Sequence, residues 1–219
     1  MSNDFWFSMA IAVVVGGFWL YKKGKNAVLT IRKIHRSFKG VCLNPKSKLS
    51  DEQCKKLAVG AMYASQQGAY QNSIETGISD LLPKILGEWW GIESTDAAKE
   101  ELDYLCEKGY RYYFPFVYQA FLLGKPEAQD EIFQQNMTSQ EDYDKIVAQF
   151  QNLQETFDEL IRCKVVAEKE ELLHYGVAGW DAGRICFLAR ACCEMGYITE
   201  AEAWKYIDLA YNMAQSPFS

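Results

Sequence analysis

The sequence predicts an all-α protein in which a single N-terminal transmembrane helix is followed by one compact multi-helix domain. Three observations favour this fold class. Residues 5–21 form a long apolar run, and basic residues follow it directly. Beyond residue 40, apolar side chains recur at spacings of three and four, which is the period of a helix. Capping residues and glycines bound these periodic segments, as they do at helix ends.

The apolar run reads FWFSMAIAVVVGGFWLY and contains one polar residue, Ser8. As a helix it spans about 25 Å, slightly less than the roughly 30 Å hydrocarbon core of a bilayer. Trp6 and Trp19 stand near its two ends, where interfacial aromatic residues are enriched. A signal peptide would carry positive charge before the run, whereas Asp4 stands there. We therefore expect one membrane span over residues 5–21.

The distribution of charge gives the span an orientation. Residues 1–40 carry seven of the 23 basic residues and one of the 29 acidic residues. All seven basic residues follow the span, and positive charge marks the cytoplasmic side of membrane proteins. We expect the N-terminus to face outward, residues 1–40 to form an anchor and a basic juxtamembrane linker, and residues 41–219 to form a cytoplasmic helical domain. The linker is expected to lie on anionic lipid headgroups.

The composition of the domain argues against several classes of function. Residues 41–219 carry 16 basic and 28 acidic residues, a poor match to the clustered cations that nucleic-acid binding requires. The seven cysteines form no C-x-x-C pair and the chain has two histidines, so we expect free buried thiols in a reducing compartment and no metal site. The sequence has no phosphate-binding loop, dinucleotide fingerprint or G-x-S-x-G motif, so no cofactor is predicted.

The first helix of the domain is predicted to begin after Ser50, where the sequence SDEQ forms a capping box, and to end at residues 68–71. A shorter apolar helix is predicted over Ser79–Leu86. Trp89 and Trp90 follow it. We expect both to be core anchors, because such rings bury a large area, and an aromatic ligand pocket is the alternative.

The next two helices frame an aromatic segment. The first begins at a hydroxyl cap at residues 94–95 and ends at Gly109. The second is predicted to begin at Pro115, since proline fits the first helical position, and to end at Gly124. The residues between the two helices are expected to form a loop. Arg111 in this loop either binds an anion or, as we expect, pairs with one of the many acidic side chains.

The longest regular pattern runs from Ser139 to Ile161. Its apolar residues alternate spacings of three and four, a heptad-like seam that we expect to pack inside the domain. The seam consists of Tyr143, Ile146, Phe150, Leu153, Phe157 and Leu160. Another helical segment is predicted over Glu168–Tyr175.

The densest run of distinctive residues, Gly179–Ile207, is predicted to form two helices joined by a tight turn. The first covers about 181–195, and Gly196 ends it. The second begins at the capping box TEAE that starts with Thr199.

This run also contains the candidate functional residues. Asp181 is expected to cap its own helix, and Arg184 lies one turn further on the same face, where the two pair. With Glu202 they form either a small polar site or a half-buried ion pair that fixes the packing of two helices. His174 would supply a general base, and a structural or solvent-facing histidine is the alternative. The full candidate set is Trp180, Asp181, Arg184, Arg190, Glu200, Glu202 and His174.

The motifs W-D-x-G-R, L-A-R and G-Y-I-x-E-x-E-A-W at residues 180–204 resemble the core motif of the bacterial domain of unknown function 1266 family. The earlier segment Leu86–Arg111 is similar to the W-G-I and G-[HY]-R blocks of that family. The resemblance covers the chain from about Leu57 and implies a mostly helical fold, a bacterial source and no agreed activity. With the predicted span and its orientation, a bacterial source places the protein in the inner membrane. The chain departs from the family in stopping at Ser219, which suggests a shortened domain, and in having Tyr110 where histidine is common.

Two classes of function remain open from the sequence. We expect a membrane-tethered interaction or regulatory module without turnover, whose partners are the membrane and a protein or a small ligand. The alternative is an enzyme that uses Asp181, Arg184, Glu202 and His174. The enzyme would expose its carboxylates in an open cleft, whereas the interaction module would pair them between helices.

Overall fold

The computed structural model describes residues 41–215, and this part of the chain contains helices and no strand. In chain order the elements are α1 Asp51–Ala58, α2 Ala61–Gln67, α3 Leu82–Lys84 with a π-helical turn Ile85–Trp89, α4 Thr95–Glu107, α5 Gly109–Leu123, α6 Pro126–Asn136, α7 Gln140–Arg162, a 3₁₀ turn Lys169–Glu171, α8 Leu172–Tyr175, α9 Ala178–Glu194 and α10 Glu200–Gln215. The prediction of an all-α domain is confirmed for these residues.

Helix α9 lies at the centre of the domain. Every residue from Asp181 to Cys192 is buried, whereas a helix on the surface of a domain buries one stripe only. Helix α10 packs along α9 after the turn at Gly196, and α2, α4 and α5 also contact α9. The two helices predicted within Gly179–Ile207 are therefore confirmed, and the first of them is the helix on which α2, α4, α5 and α10 pack.

Two apolar clusters make up the core. The first gathers residues of α1–α4, α9 and α10, among them Leu86, Leu102 and Phe187. The second gathers residues of α5–α8, among them Tyr113 and Ile146. The heptad-like seam of α7 contributes to this second cluster, so its predicted packing inside the domain is confirmed.

The predicted capping signals fix several helix ends. Ser50 and Gln53 bond each other's backbone N–H groups at the start of α1. At the start of α10, the Thr199 N–H donates to the Glu202 carboxylate at 2.8 Å, and the Glu202 N–H donates to the Thr199 hydroxyl at 3.2 Å. Gly196 has a φ of 76°, which favours glycine. Each of these signals acts over a few residues, which is why the sequence predicts it.

Several predicted boundaries in the first half of the domain are wrong. The helix predicted from Ser50 to residues 68–71 is broken into α1 and α2 at Gly60. A Cβ atom at Gly60 would lie 2.9 Å from the Cys186 Sγ, so a glycine lets α9 approach the backbone at the break. The segment predicted over Ser79–Leu86 is helical from Leu82 onward. Helix α6 was not predicted.

Helix α5 begins at Gly109 and not at Pro115. Pro115 lies inside the helix, where it lacks the N–H group that would bond to the carbonyl of Arg111. The earlier start depends on Asp181, whose carboxylate accepts hydrogen bonds from the N–H groups of Tyr110 and Arg111. A cap supplied by α9 leaves no local signal in the sequence, so a loop was predicted there.

The expectation of two tryptophan core anchors is wrong for Trp89, whose side chain is 52% exposed. Trp90 is half-buried and packs against the first cluster. None of the seven cysteines, which all lie in the described part of the chain, forms a disulfide bond, but the expectation that the thiols are buried holds for Cys186 and Cys192 alone. Their burial differs, since Cys186 and Cys192 are buried and Cys163 is exposed.

Two kinds of feature are absent from residues 41–215. None of their helices has both the length and the apolar character needed to cross a bilayer. No group of three or more histidine, cysteine or carboxylate side chains among them is arranged to hold a metal ion. The predicted membrane span at residues 5–21 and the basic linker up to residue 40 lie outside the described residues.

Candidate functional site

Asp181 is a fully buried carboxylate that contacts two helices. Its Oδ1 accepts the N–H of Tyr110 at 3.0 Å and a bond from the Arg184 guanidinium. Its Oδ2 accepts the N–H of Arg111 at 2.9 Å and lies 3.4 Å from the Arg111 Nη1. Asp181 therefore caps α5, a helix to which it does not belong. The prediction that it caps its own helix is wrong, because α9 already begins at Ala178.

Arg184 lies one turn beyond Asp181 and is 7% exposed. The predicted pair between the two residues is confirmed. The Arg184 guanidinium carbon lies 4.2 Å from the ring centroid of Tyr110 and 5.9 Å from that of Trp90. Aromatic faces attract such a cation. The Arg184 Nε has no hydrogen-bond partner among the described residues.

Arg111 joins the end of α4 to this pair. Its Nη1 donates to the carbonyl of Leu105 at 2.6 Å, and its Nη2 donates to the carbonyl of Cys106. Both carbonyls belong to the last turn of α4, where arginine side chains often bond the free carbonyl groups. The prediction that Arg111 pairs with an acidic side chain is confirmed, since that side chain is Asp181.

Gly109 allows the two arginines and the carboxylate to come together. Its φ is 56°, and a Cβ atom there would lie 2.7 Å from the Asp181 Cγ and 3.0 Å from the Arg111 Nη1. Any side chain at this position would enter the ion pair. The G-Y-R motif therefore provides a turn without a side chain, a backbone N–H for the carboxylate and a second cation.

Glu202 lies away from this buried group. Asp181 is in the first turn of α9 and Glu202 in the first turn of α10, which follows the far end of α9 about 20 Å away at 1.5 Å per residue. Its carboxylate accepts from the Lys99 ammonium at 2.8 Å and from Thr199. The hydrogen bond from Lys99, followed by those from Thr199, lowers the pKa of Glu202 to about 2. The structure does not bring Asp181, Arg184 and Glu202 together.

The other candidate residues near the two ends of α9 also have separate surroundings. Trp180 is half-buried, and its ring makes an edge-to-face contact with Tyr63 at 5.7 Å between centroids. His174 is exposed on α8, where its ring contacts that of Tyr175. Glu200 is exposed at the start of α10 and accepts the indole N–H of Trp204 at 3.2 Å.

Arg190 is fully buried and holds the connection between α2 and α3. Its Nη2 donates to the carbonyls of Tyr70 at 2.6 Å and Glu75 at 3.1 Å. Burial lowers the pKa of Arg190. One turn further along α9, the Glu194 carboxylate accepts the N–H and the hydroxyl of Thr76, both at 2.6 Å. These two residues tie one loop to α9 through three backbone groups and the Thr76 hydroxyl.

Sequence reasoning missed a second buried carboxylate, Asp142 on α7. It accepts hydrogen bonds from the Tyr113 hydroxyl at 2.6 Å, the Lys108 ammonium at 3.2 Å and the Ser139 hydroxyl at 3.0 Å. The hydrogen bond from the Tyr113 hydroxyl is the main reason that the pKa of Asp142 lies below its usual value. The sequence does contain a signal for it. Asp142 and Gln149 lie four and three residues from Ile146 of the seam, so these polar residues share the helix face that is predicted to be buried.

Comparison with known proteins gives one finding about relatedness. A family model described as "Protein of unknown function (DUF1266)" matches residues 85–219. This range contains both motif blocks and all the residues of the buried Asp181 group. It begins later than the start at Leu57 expected from the motifs. No curated protein and no solved structure matches the chain.

Proposed function

The chain belongs to the DUF1266 family of proteins of unknown function, and from that premise we propose that it is a non-catalytic interaction or regulatory module anchored in the bacterial inner membrane. In this proposal residues 5–21 cross the membrane, the basic linker lies on the inner leaflet, and the helical domain faces the cytoplasm, where it binds a protein or a small ligand.

The proposal that the module is non-catalytic depends mainly on one observation: both oxygens of the buried Asp181 carboxylate already accept hydrogen bonds. A general base or a nucleophile must reach the atom it attacks or deprotonates. The Asp181 side chain is fully buried, and both its oxygens accept from backbone N–H groups and from arginines. This carboxylate supports the packing of α5 on α9. The alternative of an enzyme that uses Asp181, Arg184 and Glu202 together has less support, because Glu202 lies on α10, near the opposite end of α9 from Asp181 and Arg184.

A pair of surface substitutions tests this part of the proposal. Glu202→Gln and His174→Ala remove two candidate groups, one partly exposed and one exposed, that an acid–base mechanism would use. Crosslinking in membranes from cells that express the full chain should retain the same crosslinked species for both variants and for the unmodified protein. Loss of the cellular phenotype in a variant that still folds and keeps the same crosslinks would favour the enzyme.

The membrane part is supported by the length of the apolar run and by the seven basic residues that follow it. A reporter enzyme that is active only in the cytoplasm, fused after Ser219, should be active in intact cells. The same reporter fused before residue 1 should be silent. The chain should also remain with the membrane fraction in high salt, because apolar insertion is not screened by ions. A silent C-terminal reporter, or release of the chain by salt, would overturn the anchored topology.

A further inference from the structure

The outer face of α5 carries large apolar side chains that are open to solvent. At 100° per residue, six residues of α5 fall within about 120° of the helix circumference. These residues are Tyr112, Pro115, Phe116, Gln119, Leu122 and Leu123. Tyr112 is 39% exposed, Leu122 38% and Leu123 50%. The opposite face of the helix, which includes Val117, is buried in the second cluster.

This face differs from the outer face of an ordinary surface helix. A helix that packs on a core usually presents charged and polar side chains to water, as α7 does at Asp144, Gln151 and Glu155. Residues 112–123 contain no charged side chain, and Gln119 is the one amide among the apolar and aromatic side chains of the outer face. A contiguous exposed apolar face marks a surface at which another molecule binds.

Basic residues stand at both ends of the outer face of α5. Lys108 directly precedes the helix, and Lys125 follows it by two residues. The Lys108 ammonium pairs with Asp142 at 3.2 Å while its side chain stays 40% exposed, and Lys125 is exposed. The nearest acidic residues along the chain, Glu107 and Glu127, lie beyond the two lysines. An apolar and aromatic face between lysines is typical of helices that lie in the headgroup region of a bilayer.

The lysines also decide between a bilayer and a second copy of this chain. A symmetric dimer brings the same face of two copies together. Whether the two helices run parallel or antiparallel, a lysine end of one copy then meets a lysine end of the other, and like charges repel. Anionic headgroups attract lysines instead. The charge at the ends of α5 therefore matches a lipid surface and opposes self-pairing.

The chain outside the described residues keeps such a surface within reach. Nineteen residues, 22–40, separate the apolar run at residues 5–21 from the described domain. Fully extended, they span at most roughly 65 Å, which exceeds the roughly 16 Å radius of gyration of a domain of about 175 residues. Every face of the domain can therefore reach a bilayer that holds the apolar run, and the tether keeps the effective concentration of that bilayer high.

We propose that the outer face of α5 docks on the cytoplasmic surface of the membrane, with its apolar side chains in the headgroup region and Lys125 at anionic headgroups. The occupant of this face is the lipid surface and not a protein. The contact rests on the proposed function, because the anchor at residues 5–21 supplies the membrane. It adds a fixed orientation, in which the helical domain faces the bilayer with α5.

The test measures which side of the domain touches lipid. The full chain is reconstituted in nanodiscs that contain anionic lipid and a lipid with a spin-labelled headgroup, which quenches fluorescence on contact. A fluorescent amino acid replaces Gln119 in one protein and Gln151 in another. Gln151 is exposed on α7, whose apolar seam packs with the buried side of α5. We expect strong quenching at position 119 and little at position 151. Equal quenching at the two positions would overturn the proposal.

Two pairs of variants then test the side chains that make the contact. Leu123→Gln should lower the ratio of docked to free domains about three- to tenfold, since half of a leucine side chain leaves an apolar phase. Leu209→Gln is its matched control, because Leu209 is 51% exposed on α10. Lys125→Gln should lower the same ratio about fivefold, the effect of one lysine near an anionic surface. Its control is Lys205→Gln, at an exposed lysine of α10. A Leu123 or Lys125 variant that is quenched as strongly as its control would overturn the proposal.

The same samples separate the contact of α5 from the anchor. A chain that elutes free of the nanodiscs would overturn the anchored topology, and the contact would fall with it. A chain that stays in the nanodiscs without preferential quenching at position 119 would overturn the contact alone. Quenching between two labels at position 119 that rises with the number of chains per nanodisc, without quenching by lipid, would assign the face to a second copy and overturn the lipid contact.

Discussion

Replacing Asp181 with asparagine removes the charge of the buried group and keeps its size. The Asn amide nitrogen would face one of the two backbone N–H groups of Tyr110 and Arg111, where a donor meets a donor. Arg184, whose side chain is 9% exposed, would lose its ion-pair partner. The substitution therefore removes the cap of α5 and leaves a buried cation unpaired.

The expected loss of stability follows from these two effects. Breaking a buried ion pair by removing one partner costs about 3–5 kcal/mol, and loss of a helix cap costs about 0.5–2 kcal/mol. The same oxygens serve both functions, so the two costs overlap and the total stays at about 3–5 kcal/mol. For a domain of this size, each kcal/mol lowers the melting temperature by about 2–4 °C, which gives a decrease of about 6–20 °C.

Differential scanning fluorimetry of the full chain near neutral pH measures this decrease. Asp144→Asn is the matched control, because it makes the same chemical change on α7 at an exposed residue that accepts a hydrogen bond from the neighbouring Gln140 side chain. The control should leave the melting temperature within about 2 °C of the unmodified protein, as surface substitutions do. If Asp181→Asn melts as the control does, the carboxylate does not support the packing of α5 on α9 and the reasoning is refuted.

Gly109→Ala should lower the melting temperature more than Gly124→Ala, because both glycines have positive φ but a Cβ atom meets other atoms only at Gly109; equal decreases would contradict this. Glu202→Gln should lower the urea midpoint near neutral pH and not near pH 2. The pKa of Glu202 is lowered from 4.5 to about 2, so its contribution is complete above pH 4.5 and is lost as the pH falls through about 2. Parallel pH profiles for the two proteins would be inconsistent with that linkage. Iodoacetamide should modify the exposed Cys163 well before Cys186, because burial raises the pKa of the Cys186 thiol to about 11. Peptide mass spectrometry that finds simultaneous labelling would count against the described burial.

The candidate site shows which parts of the structure could be read from the sequence. The Asp181–Arg184 pair was predictable, because residues three apart on a helix face each other. The additional partners of Asp181 were not, since Tyr110 and Arg111 are 71 and 70 residues away along the chain. Arg190 was singled out from the motif alone, and its bonds to the Tyr70 and Glu75 carbonyls have no pattern in the sequence.

The sequence by itself determined where many helices begin and end and which face of α7 is apolar. The capping boxes at Ser50 and Thr199 and the glycine at 196 act through hydrogen bonds within a few residues, so local order is sufficient to predict them. Only the tertiary structure decided that the carboxylate of α9 starts α5 and that α1 and α2 separate at Gly60. These features arise where distant backbones meet, and the free energy that favours them comes from burial and pairing across the core, which no short stretch of sequence contains.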